Sequence, residues 1–352
     1  MKKMTPMERE DAMIEGGTPD RIPVWQLNGI VAAQCLGYQW KDVRFDAKLS
    51  VEIYSKFIRM CGSDYYSPGC IETNATVMDL PGVEVKLSDN NYANVMSHYF
   101  NEPEDVDKKP LLDPHNKKET KWLWKGILDK VALAAEKEKA LKEYNVEFAT
   151  WGIMTTAGYF RNVETLMMDV ILEPELAHKV MEKASQHVDG IIRCAYESGA
   201  KATLIADPSS SGSLISEEIF REFETPRMKK MIKGHKKDFG APSYIHVCGE
   251  SLEVAKPISE LGAVMFSFDF MNKIKDIRAL TGDKIILAGN LDPMNVMWNG
   301  TPESVMAASK KCIEDAEGKK YVLTGGCETP RDAPLENLKA MAAASEKYGR
   351  CK

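Results

Sequence analysis

Short apolar runs recur along this chain, and most are followed by a stretch with helical spacing. The runs are RIPVWQL at 21–27, DYYSP at 64–68, EFATWGI at 147–153 and KATLIAD at 201–207. SYIHVC at 243–248, AVMFSF at 263–268, KIILAG at 284–289 and KYVLTG at 320–325 complete a set of eight. Amphipathic segments such as 165–199 and 216–239 lie between them. Strands alternating with helices predict a parallel sheet, and eight such units in 352 residues predict a (β/α)8 barrel, an α/β fold. A doubly wound open sheet is the competing arrangement, but no GxGxxG follows the first strand.

Residues 71–125 break the rhythm. The segments 82–87 and 92–100 read as a hairpin around Asp89, Asn90 and Asn91, with a polar stretch after it. The expected organisation is a single barrel domain over 1–352. An N-terminal extension precedes the first strand, and 71–125 forms an insertion near the barrel mouth, as a lid or partner surface. The lysine-rich stretch 118–142 reads as a solvated helix face.

A barrel collects its chemistry at the C-terminal ends of its strands. Those ends carry Trp25 and Asn28, Cys70 and Glu72, Trp151 and Gly152, then Asp207, His246 with Cys248, Asp269, Asn290 with Asp292, and Cys327. His246-Val247-Cys248-Gly249 stands out, because residues i and i+2 of a strand share a face. Val247 then points away while His246 and Cys248 face one site. With Cys327 added, the set is two sulfurs and one imidazole, the inventory of a catalytic zinc with its fourth position open. The competing reading is a buried Cys and His packed in the core.

Composition narrows the partners. A net charge of −6 lacks the basic face that nucleic acid requires. No run approaches the length of a membrane span, and the N-terminus lacks the apolar core of a signal peptide. The eight cysteines are scattered without disulfide-framework spacing, which suits reduced thiols in a cytoplasm.

Several stretches resemble the uroporphyrinogen decarboxylase superfamily, whose members share a distorted (β/α)8 barrel. They are GTPDRIPV at 17–24, Glu173-Pro174-Glu175 with His178, Asp207-Pro208, His246-Val247-Cys248-Gly249 and Gly289-Asn290-Leu291-Asp292-Pro293. Cys327-Glu328-Thr329-Pro330, ahead of Pro334, Glu336 and Asn337, completes the likeness. The decarboxylases carry Arg-Gln-Ala-Gly-Arg after the first strand. Here the matching stretch is Val24-Trp25-Gln26-Leu27-Asn28-Gly29, without the arginine forks that polycarboxylate substrates require. The His-x-Cys-Gly motif with a distant Cys instead resembles the methylcobamide:coenzyme M methyltransferases and their corrinoid-dependent relatives.

That resemblance implies Zn2+ on His246, Cys248 and Cys327, and a thiol such as coenzyme M bound as thiolate. Methyl would pass between that thiol and a methyl-Co(III)/Co(I) corrinoid. A donor-side enzyme acting on a methyl ether, methyl thiol or methylamine is the near alternative. A decarboxylase, or a non-catalytic barrel with structural zinc, is more remote. Asp207 is expected beside the metal, at its open position or as proton acceptor, with helix capping as its rival role. Asp292 divides equally between the site and a cap, while Glu328 and Glu72 are candidates for the open metal position. Trp25, Asn28 and Trp151, with Tyr159, are expected against the corrin at the mouth, and Arg161, Arg221 and Arg227 are candidates for a sulfonate. His178 reads as a packing or surface histidine. A corrinoid module of its own would carry Asp-x-His-x-x-Gly. Asp113-Pro114-His115 begins that pattern, but Lys118 stands where the Gly belongs, so the corrinoid is expected on a partner protein.

Overall fold

The computed structural model describes residues 3–69 and 72–351. Seven parallel strands form one curled sheet: β1 (Val24–Trp25), β4 (Glu147–Trp151), β5 (Ala202–Ala206), β6 (Ser243–Val247), β7 (Met265–Phe268), β8 (Ile286–Leu291) and β9 (Tyr321–Gly325). Their order is β1-β9-β8-β7-β6-β5-β4. The run 64–68 occupies the remaining stave without forming a full strand. Tyr66 makes a parallel bridge to Val146, the Glu147 amide donates to the Tyr66 carbonyl at 2.8 Å, and the Asp64 amide donates to the Val24 carbonyl at 2.7 Å. The sheet therefore closes on itself as a barrel. Ser67-Pro68 cuts the second stave short, because proline cannot donate to a ladder.

Pleating divides the side chains into two layers. Phe148, Ile205, Ile245, Val247, Phe266, Phe268, Leu287 and Leu323 point outward into the main core under the helices. The intervening positions point inward, where Trp25, Tyr65, Ala202, Tyr244, Met265, Ile286 and Val322 pack as a second cluster. The helix Pro6–Ile14 belongs to the expected N-terminal extension and plugs the barrel floor. Met13 joins the inner cluster, and Tyr244 donates its hydroxyl to Glu10 at 2.6 Å.

Two expected helices are modified by proline. The stretch 165–199 is two helices, Val163–Leu172 and Pro174–Glu197, because Pro174 restarts the helix at its first turn. The stretch 216–239 has a wider turn at Phe220–Glu224 just before Pro226, where a normal ladder bond is lost. Within 71–125 the hairpin is present as β2 (Val85–Lys86) and β3 (Asn94–Val95), paired Val85 with Val95 and Lys86 with Asn94. Its centre falls on Asn90, within the turn read from the sequence.

Candidate metal centre

β6 places His246 and, one step beyond its end, Cys248 on the inward face. Cys327 arrives two residues after β9. His246 Nε2 lies 3.1 Å from Cys248 Sγ, and Cys248 Sγ lies 3.3 Å from Cys327 Sγ. One donor atom from each of the three residues falls within 4.8 Å of the other two. Four-coordinate zinc with ordinary Zn–S and Zn–N bonds separates its donors by roughly 3.5–3.8 Å. Opening the cluster by a few tenths of an ångström would admit the ion, so the donor set fits. The remaining ring nitrogen, His246 Nδ1, is 2.9 Å from Ser267 Oγ on β7, directly across the ladder. That partner orients the ring and leaves Nε2 facing the sulfurs.

Charge within the trio is unevenly shared. The bond from Cys248, aided by His246, pulls the Cys327 thiol down to about 4, and the same contact drives Cys248 upward. The loop after Cys248 is pinned by β7: the Gly249 amide donates to Asp269 at 3.0 Å, and the Asn272 amide group donates to the Gly249 carbonyl at 2.8 Å.

The trio forms one end of a cavity of about 190 Å³ that runs down into the barrel. Its walls include Trp25, Leu27, Asn28, Ala149, Trp151 and Leu204, with Ser67 and Glu147 deeper in. Glu328 stands at the upper end, where the Tyr92 hydroxyl of the insertion donates to its carboxylate. The residue as a whole stays exposed at the rim, but its carboxyl end turns inward. Loss of hydration raises it to about 7, with Cys327 adding to the shift. A Cβ at position 29 would fall 1.5 Å from Glu328 Oε1, so this approach requires Gly29.

The other expected site residues divide. Asn28 and Trp151 line the cavity, and the Trp151 indole donates to Asn74 at 2.9 Å. Trp25 lies inside the barrel rather than at the mouth, 2% exposed and packed on Tyr65 and Tyr244. Asp207 is turned away from the trio. It accepts from the Thr155 amide at 2.9 Å and hydroxyl at 2.6 Å and from the Met154 amide at 3.2 Å, capping the helix Ile153–Arg161 from the next strand. That approach passes over Gly152, where a Cβ would lie 2.1 Å from the carboxylate. Asp292 caps its own following turn, accepting from the Met294 and Asn295 amides at 2.9 Å.

Glu72 is buried and paired with Arg44 at 2.8 Å, with Trp40 and Ala93 donating to it, so its oxygens are occupied away from the sulfurs. Cys70 lies outside the described residues. Tyr159 packs against Trp151, and His178 stacks on Phe223 on the helical surface. Arg161 pairs with Asp169, Arg221 with Glu217 and Glu260, and Arg227 with Glu182; none of the three lines the cavity. His115 bonds Asp113 and Glu197 at the surface.

The uroporphyrinogen decarboxylase (URO-D) family profile matches residues 5–348. This chain belongs to that family. Among full-length relatives is a protein named methylated-thiol–coenzyme M methyltransferase from Methanosarcina mazei, 29% identical, with 98% of this chain and 90% of the relative covered. Another, named methylcobamide:CoM methyltransferase MtbA, also from Methanosarcina mazei, is 26% identical over 99% of both chains. A uroporphyrinogen decarboxylase from Dechloromonas aromatica is 28% identical over 54% of this chain and 53% of its own. A solved methyltransferase from Methanosarcina mazei shares the fold at a TM-score of 0.84, with 22% identity over 98% of this chain and 99% of its own. This URO-D family member is an enzyme of the methyltransferase kind. No helix among the described residues is long and apolar enough to cross a membrane.

Sequence reasoning missed three participants. Ser267 sits in an apolar strand and is recognised only through the β6–β7 register. Tyr92 reaches the site from the insertion, 236 positions before Glu328. Glu147 opens its strand, at the end opposite to the one where barrels collect chemistry, yet it lines the cavity.

Proposed function

We propose that this enzyme moves a methyl group between a corrinoid carried by a separate protein and a small thiol held at a zinc ion on His246, Cys248 and Cys327. The supporting observation is the convergence of two thiols and an imidazole, 3.1 and 3.3 Å apart, on the wall of a cavity. Relatives named methylcobamide:CoM methyltransferases add to it. When bound, zinc would supply a Lewis-acidic centre, formally neutral with two thiolates, that takes a thiol as thiolate at its free position.

The residues of the chain would do the remaining work. Ser267 holds the imidazole with Nε2 toward the sulfurs, and Asp269 and Asn272 fix the loop that carries Cys248. Apolar cavity walls exclude water and so preserve the nucleophilicity of the sulfur. Glu328, poised near neutrality, takes the proton released as the thiol enters. A docked corrinoid would supply the methyl group as CH3+, its Co–C pair staying with cobalt while a sulfur lone pair formed the new bond. Around the mouth, Phe270, Met271, Met294 and Trp298 are exposed, an apolar rim for the corrinoid protein.

The reverse direction, in which a methylated thiol gives its methyl to Co(I), is favoured by the relative named for methylated thiols. Both directions use the same site. Substituting Cys248→Ala tests the assignment. Wild-type protein is expected to hold about one zinc per chain, as a three-ligand catalytic site does; the variant is expected to lose both zinc and methyl transfer. Undiminished transfer by metal-free protein would contradict it.

A further inference from the structure

We infer that the thiol taken by this site, or its methyl thioether, carries an amino group at its far end, received on the barrel floor by Glu147, Ser67 and Trp25, and not an anionic tail. The inference rests on the zinc–thiol reading above and adds the substrate class.

The cavity has two chemically different ends. His246 pairs with Ala206, which pairs with Trp151, four residues above Glu147 on β4. At 3.3 Å per residue the two levels are about 13 Å apart along the strand, less the reach of the side chains. Ser67 neighbours Glu147, because the Glu147 amide donates to the Tyr66 carbonyl. Glu147 is 1% exposed. Its Oε1 has no partner among the described residues, and neither has Ser67 Oγ. Both residues line the cavity.

A buried carboxylate without a partner is strongly disfavoured, so a group of this kind is kept either as the neutral acid or for a cation. Burial and nearby Glu10 push Glu147 above the usual carboxylate range, so an entering ammonium would pair with the carboxylate by displacing its proton to solvent. An ammonium tail supplies three donors, enough for Glu147 Oε1 and Ser67 Oγ together, and the Trp25 ring is a surface that cations favour. An anionic tail meets the reverse. No Lys or Arg is among the residues lining the cavity, so an anionic tail finds no opposite charge there. A third unpartnered polar atom, Asn28 Nδ2, is a donor, but it follows the C-terminal end of β1, toward the mouth. A larger outer groove does hold Arg331, yet that guanidinium pairs with Asp332 and donates to the Asn90 carbonyl. Of the metal trio, only Cys327 borders that groove.

The test uses the full-length protein loaded with Co2+ in place of zinc, because thiolate binding to Co2+ gives a charge-transfer absorption. Aminoalkanethiols and mercaptoalkanesulfonates of matched, increasing chain length are titrated in turn. Once the chain reaches the floor, the amino series is expected to bind about 10-fold tighter or more, as one charge contact made by it and missing from the other series implies. Glu147→Gln, which keeps the shape, should bring the ratio close to unity with an unchanged circular dichroism spectrum. If that variant does not fold, Ser67→Ala should still reduce the ratio. Sulfonates binding equally well or better, or a ratio unmoved by the substitutions, would overturn the inference while leaving the metal–thiol reading intact. Absence of the absorption with every thiol would overturn both.

Discussion

His246 has two ring nitrogens, and the fold gives each a separate task. Nδ1 meets Ser267 at 2.9 Å, while Nε2 faces the two sulfurs. Removing the outer partner of a ligating histidine typically costs 10–100-fold in metal affinity. Ser267→Ala is therefore expected to weaken zinc binding by about that factor, with the fold intact, as measured by competition with a chromophoric chelator. Unchanged affinity would mean that the ring is oriented by packing alone. The pair His246 and Cys248 was legible because a two-residue period needs no knowledge of the neighbouring strand. Ser267 was not, because its role exists only across the β6–β7 register. Asp207 shows the limit of position as evidence. It stands at a strand end as expected, but a carboxylate beside two free helix amides and a threonine hydroxyl is drawn to them, and such capping is worth about 1 kcal/mol.

At the scale of elements, the insertion is fastened to the barrel by a few polar contacts that also shape the site. Tyr92 donates to Glu328, and Trp151 donates to Asn74. The ring of His187, on the helix Pro174–Glu197, lies with Nε2 2.6 Å from the Thr76 carbonyl. Burial lowers this histidine to about 4. The unfolded chain, with an ordinary histidine near 6.5, then binds more protons between those two values. The contribution is complete above pH ~6.5 and is lost as pH falls toward about 4, at up to ~1.4 kcal/mol per pH unit. His187→Gln removes the titration, so urea unfolding of the variant should depend less on pH between 7 and 5 than that of the wild type. Parallel curves for the two proteins would contradict this. The hairpin within the insertion was readable from its Asp-Asn-Asn turn. The helix break at Pro174 and the curtailed second stave at Ser67-Pro68 are not visible in the apolar spacing, which continues through both while proline interrupts the backbone bonding.

At the scale of the whole molecule, the barrel brings residues separated by 79 positions to 3.3 Å and sets them above a closed interior. Eight apolar runs alternating with helical stretches were enough to anticipate that architecture, since parallel strands buried on both faces read as near-continuous apolar runs. What lies inside was hidden: no periodicity marks Glu147 as different from any other strand-opening residue. The floor is sealed by the N-terminal helix and the mouth is ringed by apolar side chains, so the cavity opens at the mouth rather than through the barrel. The most direct test of the account is anaerobic incubation of the zinc protein with methylcobalamin and a panel of thiols, following the cobalamin spectrum with and without a zinc chelator. Zinc-dependent conversion of methyl-Co(III) to Co(I) by at least one thiol, abolished by chelation, is the predicted result. Demethylation at an undiminished rate after zinc removal would contradict the central claim, as would no spectral change with any thiol on protein shown to hold one zinc per chain.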